Sequence, residues 1–94
     1  MNGRNKILQQ LEIRAQLTGQ PLPGIPIMEL AGDRRVLIEN HCGVQEYSEN
    51  RVSIAVSYGS VLVSGTCLEI SKMSSDAVVI TGSIDEIKLE RRFR

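Results

Sequence analysis

Residues 61–70 read VLVSGTCLEI, and residues 78–87 read VVITGSIDEI. The two segments align without gaps at an offset of 17 residues (78 minus 61). Both start with three aliphatic residues, continue with Ser or Thr and a glycine, and end on Glu-Ile. Val and Ile favour strands because β-branched side chains pack well on a pleated surface. Each copy is therefore predicted to form strand, glycine, strand.

The two glycines of this repeat, Gly65 and Gly82, follow the aliphatic run at the same place in each copy. Glycine has no Cβ, so it adopts backbone angles and close contacts that are costly for other residues. Inside a strand pattern it marks a bend or a bulge. We therefore predict that Gly65 and Gly82 are strand-bend positions.

A repeat at this spacing is compatible with two architectures. One is a single small antiparallel β-meander of bent strands, which curls into a sheet or half-barrel. The other is a short β-solenoid, whose coils need about three repeats or more for stability. Because only two copies are visible, the meander is the favoured prediction.

The hydrophobic pattern changes upstream of the repeat. Residues 6–17 place aliphatic side chains at roughly helical spacing, which predicts one N-terminal helix within residues 1–19. Residues 20–26 contain all three prolines and are expected to form an extended linker. Residues 27–89 then show a period of two, which predicts about six or seven mostly antiparallel strands. The chain, residues 1–94, is expected to be one mostly β domain.

Strand alternation predicts which side chains are buried. The expected core comprises Val36, Ile38, Val52, Ile54, Val56, Val61, Val63, Leu68, Ile70, Val78, Ile80, Ile87 and Leu89. Such a sheet leaves unpaired edges, which we expect at residues 27–30 and 84–89. The formal net charge is zero, so copies repel one another little, and a homo-oligomer is expected.

Composition excludes several classes of function. Eleven basic residues balance eleven acidic ones, whereas nucleic-acid-binding domains carry a basic excess, so no nucleic acid is expected as a partner. No run approaches the ~18–20 apolar residues that span a bilayer, so no direct transmembrane segment is expected. No glycine-rich phosphate loop is present, and no cofactor is expected. Cys42 and Cys67 lack CxxC spacing and are expected to be reduced thiols.

The single histidine lies in the segment Glu39-Asn40-His41-Cys42-Gly43. A metal site needs three or four ligands, and adjacent strand residues point to opposite faces, so His41 and Cys42 do not suit one shared ion. A Cys–His nucleophile would need a third, orienting residue, and none is apparent. We therefore expect no catalytic or metal site. Asn40 and His41 are instead expected to end a strand and to satisfy backbone groups at the Gly43 turn.

Charged side chains elsewhere also have a simple explanation. Glu69, Asp85 and Glu86 alternate with aliphatic residues, as the solvated face of a strand does, so we predict no catalytic carboxylate pair. The C-terminal arginines, which include Arg91 and Arg92, are expected to form a solvated tail. Contact of this tail with phosphate or an acidic lipid headgroup is the alternative.

The phrase VLIENH at residues 36–41, followed by Gly43, resembles a motif of the YabP/YqfC family of sporulation proteins. A Val-x-Gly phrase at residues 63–65 and an Ile-x-Gly-x-Ile phrase at residues 80–84 are also similar. The order of helix, proline linker and strands matches too, so the resemblance spans essentially the whole chain and is nearer the YqfC branch.

The family-motif positions in this chain are Glu39, Asn40, His41 and Gly43. Cys42 stands where the family phrase has Lys or Arg. No catalytic or ligand-binding residue is carried over by the resemblance.

The resemblance implies a non-enzymatic structural or scaffolding protein of endospore formation that acts through protein–protein contacts. It implies a cytoplasmic location in the mother cell, with attachment to the forespore membrane only through a partner. A membrane protein of the YqfD type is the partner that the family suggests. The alternative is a small ligand- or lipid-headgroup-binding regulatory β-domain that acts on this membrane partner.

Overall fold

The computed structural model describes residues 24–92, which form one antiparallel sheet of six strands. In chain order the strands are β1 (Ile27–Ala31), β2 (Arg35–Glu39), β3 (Gly43–Tyr47), β4 (Arg51–Val56), β5 (Gly59–Met73) and β6 (Ala77–Arg91). The predicted antiparallel β class is confirmed. The β-solenoid alternative is wrong, because all neighbouring strands are antiparallel. The helix predicted within residues 1–19, and residues 20–23 of the predicted linker, lie outside the described residues.

The strand order is β1-β2-β6-β5-β4-β3 and departs from a simple meander at one connection. β2 and β3 follow each other in the chain but lie four strand intervals apart in the sheet. In a flat sheet they would be about 19 Å apart, at about 4.8 Å per interval. Residues 40–42 alone connect them, and the four Cα–Cα steps involved span at most about 14 Å. The sheet must therefore fold over on itself.

The sheet folds within β5 and β6, which have 15 residues each. Their pairing shifts register between Ser64 and Gly65, between Thr66 and Glu69, and again after Ile70. Extra residues in one strand of a pair bend it and increase its twist. Each predicted strand-glycine-strand segment is therefore part of one long strand with a bend in its middle.

The bend divides the sheet into two half-sheets. The first half-sheet consists of β1, β2, residues 77–81 of β6 and residues 69–73 of β5. The second half-sheet consists of β3, β4, residues 59–64 of β5 and residues 86–91 of β6. A single cluster of buried aliphatic side chains draws on both half-sheets, so their inward faces enclose one core.

Ten of the thirteen predicted core residues are buried in this cluster: Val36, Ile38, Val52, Ile54, Val56, Val61, Val63, Leu68, Val78 and Ile80. Ile70 and Ile87 are half-buried and pack against it. The prediction for Leu89 is wrong, since 54% of it is exposed. Leu89 pairs with the buried Val61, but it lies in the part of β6 that pairs with β5 alone, at the rim of the second half-sheet.

The two half-sheets follow the same plan. Val36 of β2 lies opposite Ile80 of β6, and Val52 of β4 lies opposite Val63 of β5. Each of the five residue pairs between β2 and β6 corresponds to a pair between β4 and β5. The residue in β4 is 16 positions after its counterpart in β2 (52 minus 36), and the residue in β6 is 17 positions after its counterpart in β5 (80 minus 63). Each half-sheet thus places a hairpin beside one long strand.

The turns of the two hairpins contact the bend in equivalent ways. The Gly82 amide donates to the Arg34 carbonyl at 3.1 Å, and the Gly65 amide donates to the Asn50 carbonyl at 3.1 Å. The sequence repeat is therefore part of a larger internal duplication, in which β1, β2 and β6 correspond to β3, β4 and β5.

Substituting Gly65 tests the close contact at the bend. A Cβ at this position would lie 1.9 Å from the Ser83 carbonyl oxygen, so β5 and β6 would have to separate. We expect Gly65→Ala to lower the free energy of unfolding by about 3 kcal/mol or more, the upper end of overpacking costs. Gly32→Ala is the control, because a Cβ there meets nothing within 4 Å although φ is 58°. It should cost about 1–2 kcal/mol in urea denaturation; equal losses would contradict the packing described.

Truncation of Ile54 tests the position of the core. Its side chain is fully buried, so Ile54→Ala should lower the free energy of unfolding by about 2–5 kcal/mol. Leu89→Ala is the control at an exposed aliphatic position and should cost less than about 1 kcal/mol. Thermal or urea unfolding measures both, and a larger loss at Leu89 would mean that the inward face has been assigned incorrectly.

Candidate functional site

The segment that joins β2 to β3, residues 40–42, is called the link below. Its first two amides donate to the carbonyl of Asp76, in the turn between β5 and β6. Its third amide, that of Cys42, donates to the Ala55 carbonyl of β4 at 2.7 Å. The link is therefore hydrogen-bonded to both half-sheets, at the place where the chain passes from the first half-sheet to the second.

Asn40 turns the chain at the end of β2. Its φ is 64°, in the left-handed region that asparagine tolerates better than most residues. Its Nδ2 donates to the Ile25 carbonyl at 2.8 Å, which ties the link to the segment before β1. Glu39, the preceding motif residue, is exposed and lies between Ile27 and Ala77 in the sheet.

The His41 ring makes hydrogen bonds with both of its nitrogens. Nδ1 accepts from the Gly43 amide at 2.9 Å, so the proton of the neutral ring is on Nε2. Nε2 donates to the Ser74 carbonyl at 3.0 Å. The side chain is only 8% exposed. His41 thus satisfies the backbone at the Gly43 turn and also holds the link against the β5–β6 turn.

The β5–β6 turn, residues 74–76, is itself well ordered by hydrogen bonds. The Ser74 amide donates to the Ala77 carbonyl at 2.7 Å, and the Ala77 amide donates to the Ser74 Oγ at 3.1 Å. The Ser74 hydroxyl lies 3.0 Å from the Asp76 carboxylate. The groups that accept from the link therefore belong to a turn with its own internal bonds.

The cysteines do not combine with this histidine. Cys42 and Cys67 are exposed free thiols, one in the link and the other at the bend. Both His41 ring nitrogens are engaged with the backbone, so in this arrangement neither is available to ligate an ion or to activate Cys42. Within residues 24–92 no group of three His, Cys, Asp or Glu side chains is placed to hold a metal ion.

The remaining charged candidates lie apart from the link. Glu69 belongs to the first half-sheet and Glu86 to the second, and both are exposed. The Arg92 amide donates to the Tyr58 carbonyl, which fixes the end of β6 beside the turn between β4 and β5. Arg94 lies outside the described residues. The repeat-related carboxylates are therefore on different half-sheets.

A depression that the sequence analysis did not identify lies on the first half-sheet. It has a volume of about 460 Å³ and is lined by Lys72, Met73, Ser74, Ala77 and Val79. The sequence contains one signal for this depression. Val79 is aliphatic, although strand alternation places it on the outward face between the inward Val78 and Ile80. Among residues 24–92 there is no helix with the length and apolar character needed to cross a bilayer.

Replacing His41 tests whether the hydrogen bonds of the His41 imidazole hold the link in place. His41→Ala removes two hydrogen bonds and leaves the Ser74 carbonyl and the Gly43 amide without these partners. We expect the free energy of unfolding to fall by about 2–4 kcal/mol. Cys42→Ala is the neighbouring control and should change it by less than about 0.5 kcal/mol, because this thiol is exposed. Similar values for the two variants in urea denaturation would contradict the role assigned to the ring.

Comparison with known proteins confirms the resemblance to the YabP/YqfC family. The model of the YabP family matches residues 26–93, which include all six strands. "Uncharacterized protein YqfC" of Bacillus subtilis (strain 168) is 24% identical over 85 residues, covering 90% of this chain and 91% of the relative. No solved structure matches the chain significantly. Because the family model covers well over half of the sequence, this chain belongs to the YabP family.

Proposed function

We propose that this protein is a non-enzymatic structural component of endospore formation that acts through protein–protein contacts in the mother cell. Family membership, together with the motif at Glu39, Asn40, His41 and Gly43, supports a role in sporulation. The observation that carries the mode of action is the number of open strand edges, several of which bear exposed apolar side chains.

The folded sheet has four open edges among its described residues. β1 pairs with β2 alone and β3 with β4 alone, as the ends of the strand order require. Residues 69–73 of β5 pair with β6 alone, and residues 86–91 of β6 pair with β5 alone. The predicted edge at 27–30 lies in β1, and the predicted edge at 84–89 overlaps the open segment of β6 at residues 86–89, whereas the edge at β3 was not anticipated. Open edges are sites where another chain can add a strand.

The four edges differ in how well they are protected from such pairing. β3 contains a bulge between Val44 and Glu46, which disrupts a regular edge. Residues 86–91 include the charged side chains Glu86, Lys88, Glu90 and Arg91, and Lys88 lies 3.6 Å from Glu90. Residues 69–73 carry Glu69 and Lys72, one charge of each sign. Charged side chains and bulges are the usual protection of an edge.

β1 has the least protection. Its sequence, IMELA, contains one charged residue, and Ile27 and Leu30 are 43% and 56% exposed. A second copy of the chain could pair with the same edge antiparallel, which gives a closed, two-fold symmetric contact. With a net charge of zero, little long-range repulsion opposes it. We therefore propose β1 as the contact edge of a homo-oligomer.

A second candidate function is a small regulatory domain that binds a ligand or lipid headgroup and acts on a membrane protein of the YqfD type. The depression beside Lys72 favours this candidate, because an ammonium group next to an apolar hollow suits an anionic headgroup. Binding of anionic vesicles by the wild-type protein, lost in Lys72→Glu, would favour this function over the structural one.

The substitution Leu30→Lys tests the proposed contact edge. A charge at this exposed position should prevent strand addition at β1 without affecting the core. We expect light scattering to show oligomers of the wild-type protein at high concentration and a monomer for Leu30→Lys. Leu89→Lys is the matched control, because Leu89 is equally exposed on an edge that already carries charges. A wild-type protein that stays monomeric at all concentrations would contradict self-assembly.

Deletion of the gene in an endospore-forming host tests the biological role. We expect fewer mature, heat-resistant spores and abnormal forespore, coat or cortex morphology in sporulating cells, with normal vegetative growth. Wild-type protein supplied in trans should restore spore formation. Normal spore number, morphology and resistance in a strain without a paralogue would refute the proposed role.

A further inference from the structure

The hydrogen bonds of β2 show which of its residues face which neighbouring strand. In an antiparallel sheet, successive residues of a strand direct their amides and carbonyls alternately to the neighbours on either side. At one end of β2, the Asn40 amide donates to the Asp76 carbonyl, just before β6. At the other end, the Gly82 amide of β6 donates to the Arg34 carbonyl at 3.1 Å. The even-numbered residues of β2 therefore face β6, and the odd-numbered residues face β1.

It follows that β1 presents the backbone groups of only two residues to its open edge. Residues 35, 37 and 39 of β2 face β1 and pair there with residues 31, 29 and 27. The amides and carbonyls of these three β1 residues are directed into the sheet. Met28 and Leu30 lie between them, so their amides and carbonyls point away from β2, toward the position of an added strand.

These two residues define the register in which a second copy adds. In the antiparallel, two-fold symmetric contact proposed above, each Met28 lies opposite the Leu30 of the other copy, and each pair exchanges two hydrogen bonds. A shift that places Met28 opposite Met28 brings Leu30 opposite Pro26, which has no N–H to donate. A shift the other way brings Met28 opposite Gly32, which has a φ of 58° and lies in the turn after β1. The first register therefore retains the most hydrogen bonds.

This register places Glu29 of one copy directly opposite Glu29 of the other. The two-fold axis passes between them, at a pair without mutual hydrogen bonds, where the Cα atoms are about 4.5 Å apart and the side chains approach most closely. Glu29 is exposed and lies on the outer face of the sheet, where it pairs with Leu37. Like charges directly opposite each other in a sheet destabilise the pairing.

The charges around Glu29 are few. Among the described strands, β2 is the only one that lies against β1. On the same face of β2, Arg35 and Glu39 each lie two residues from Leu37, one on either side, and they carry opposite charges. Neither of the two ion pairs formed within residues 24–92 involves Glu29. The β1 strand of the second copy adds only its own Glu29, since IMELA contains no other charged residue.

We propose that Glu29 makes self-assembly through β1 depend on pH. Carboxyl groups are ionised at neutral pH, so the two facing Glu29 side chains weaken the contact there. A carboxyl group holds its proton more tightly beside a second carboxylate, so the assembled form takes up protons that separate copies do not. Association therefore strengthens as the pH falls. This inference rests on the β1 contact proposed above and adds its regulation.

Analytical ultracentrifugation of the full chain at about pH 7 and about pH 5 tests this regulation. We expect a lower dissociation constant for the wild-type protein at the acid pH. Glu29→Gln should lower the dissociation constant about fivefold or more at neutral pH and remove most of its pH dependence, because the facing charges are gone. Glu39→Gln is the matched control, since it removes an exposed carboxylate from the adjacent strand and changes the net charge equally. It should have a much smaller effect on both quantities.

Charge reversal tests whether the two Glu29 side chains face each other. Glu29→Lys alone should associate no more tightly than the wild-type protein at neutral pH, because two ammonium groups repel as two carboxylates do. An equal mixture of Glu29→Lys and wild-type chains should form mixed dimers more tightly than either chain forms dimers of its own. The mixture of Glu39→Lys and wild-type chains is the control and should show no such gain. Mixed Glu29→Lys dimers that are no tighter than the others would overturn the proposal.

The outcomes also separate this proposal from the contact on which it rests. Wild-type association that is equal at both pH values, together with no gain in Glu29→Gln, would overturn the role of Glu29 and leave the β1 contact standing. If neither the wild-type protein nor Glu29→Gln associates at any concentration or pH, the β1 contact is wrong and the role of Glu29 is overturned with it.

Discussion

A link of three residues joins two strands that lie four intervals apart in the sheet, and the rest of the structure depends on this constraint. No flat sheet satisfies it, since the link is shorter than the width that it would have to cross. β2 and β3 can be neighbours only if the sheet folds so that its two halves face each other. The backbone bonds from the link to Asp76 and Ala55 and the two bonds of the His41 ring hold that arrangement in place.

Folding the sheet has two consequences for its sequence. β5 and β6 run through both halves, so they must bend, and the close approach of their backbones leaves no room for a side chain at Gly65 or Gly82. The enclosed space is filled by side chains from both halves, and all ten buried residues of this core are Val, Ile or Leu. A core of this size provides limited stability, so the bonds of the link matter to the whole domain.

Much of the fold could be predicted from local pattern. The period of two identified Val36, Ile38, Val52 and Ile54 as inward residues, and the glycine-centred repeat pointed to bent strands. Periodicity does not show which distant strands pair, so the placement of the β1–β2 hairpin beside β6 could not be derived. Leu89 follows the inward alternation, but alternation does not show that this part of β6 lies at the rim. The larger duplication has a signal in the sequence, because Arg35-Val36-Leu37-Ile38 resembles Arg51-Val52-Ser53-Ile54 sixteen residues later (51 minus 35). Four residues are too few to identify a duplication, and the correspondence is evident only from the matching residue pairs of the two ladders.

The candidate site was predictable in part for a similar reason. The position of His41 before a glycine indicated a bond to the Gly43 turn, because this contact is local. The bond from Nε2 to Ser74 crosses 33 residues and depends on the folded sheet. The central claim is that the two half-sheets face each other around one core. Methyl–methyl nuclear Overhauser effects test it most directly: contacts from Val36, Ile38 and Ile80 to Val52, Ile54 and Val61 are predicted, and contacts confined to each half-sheet would contradict it.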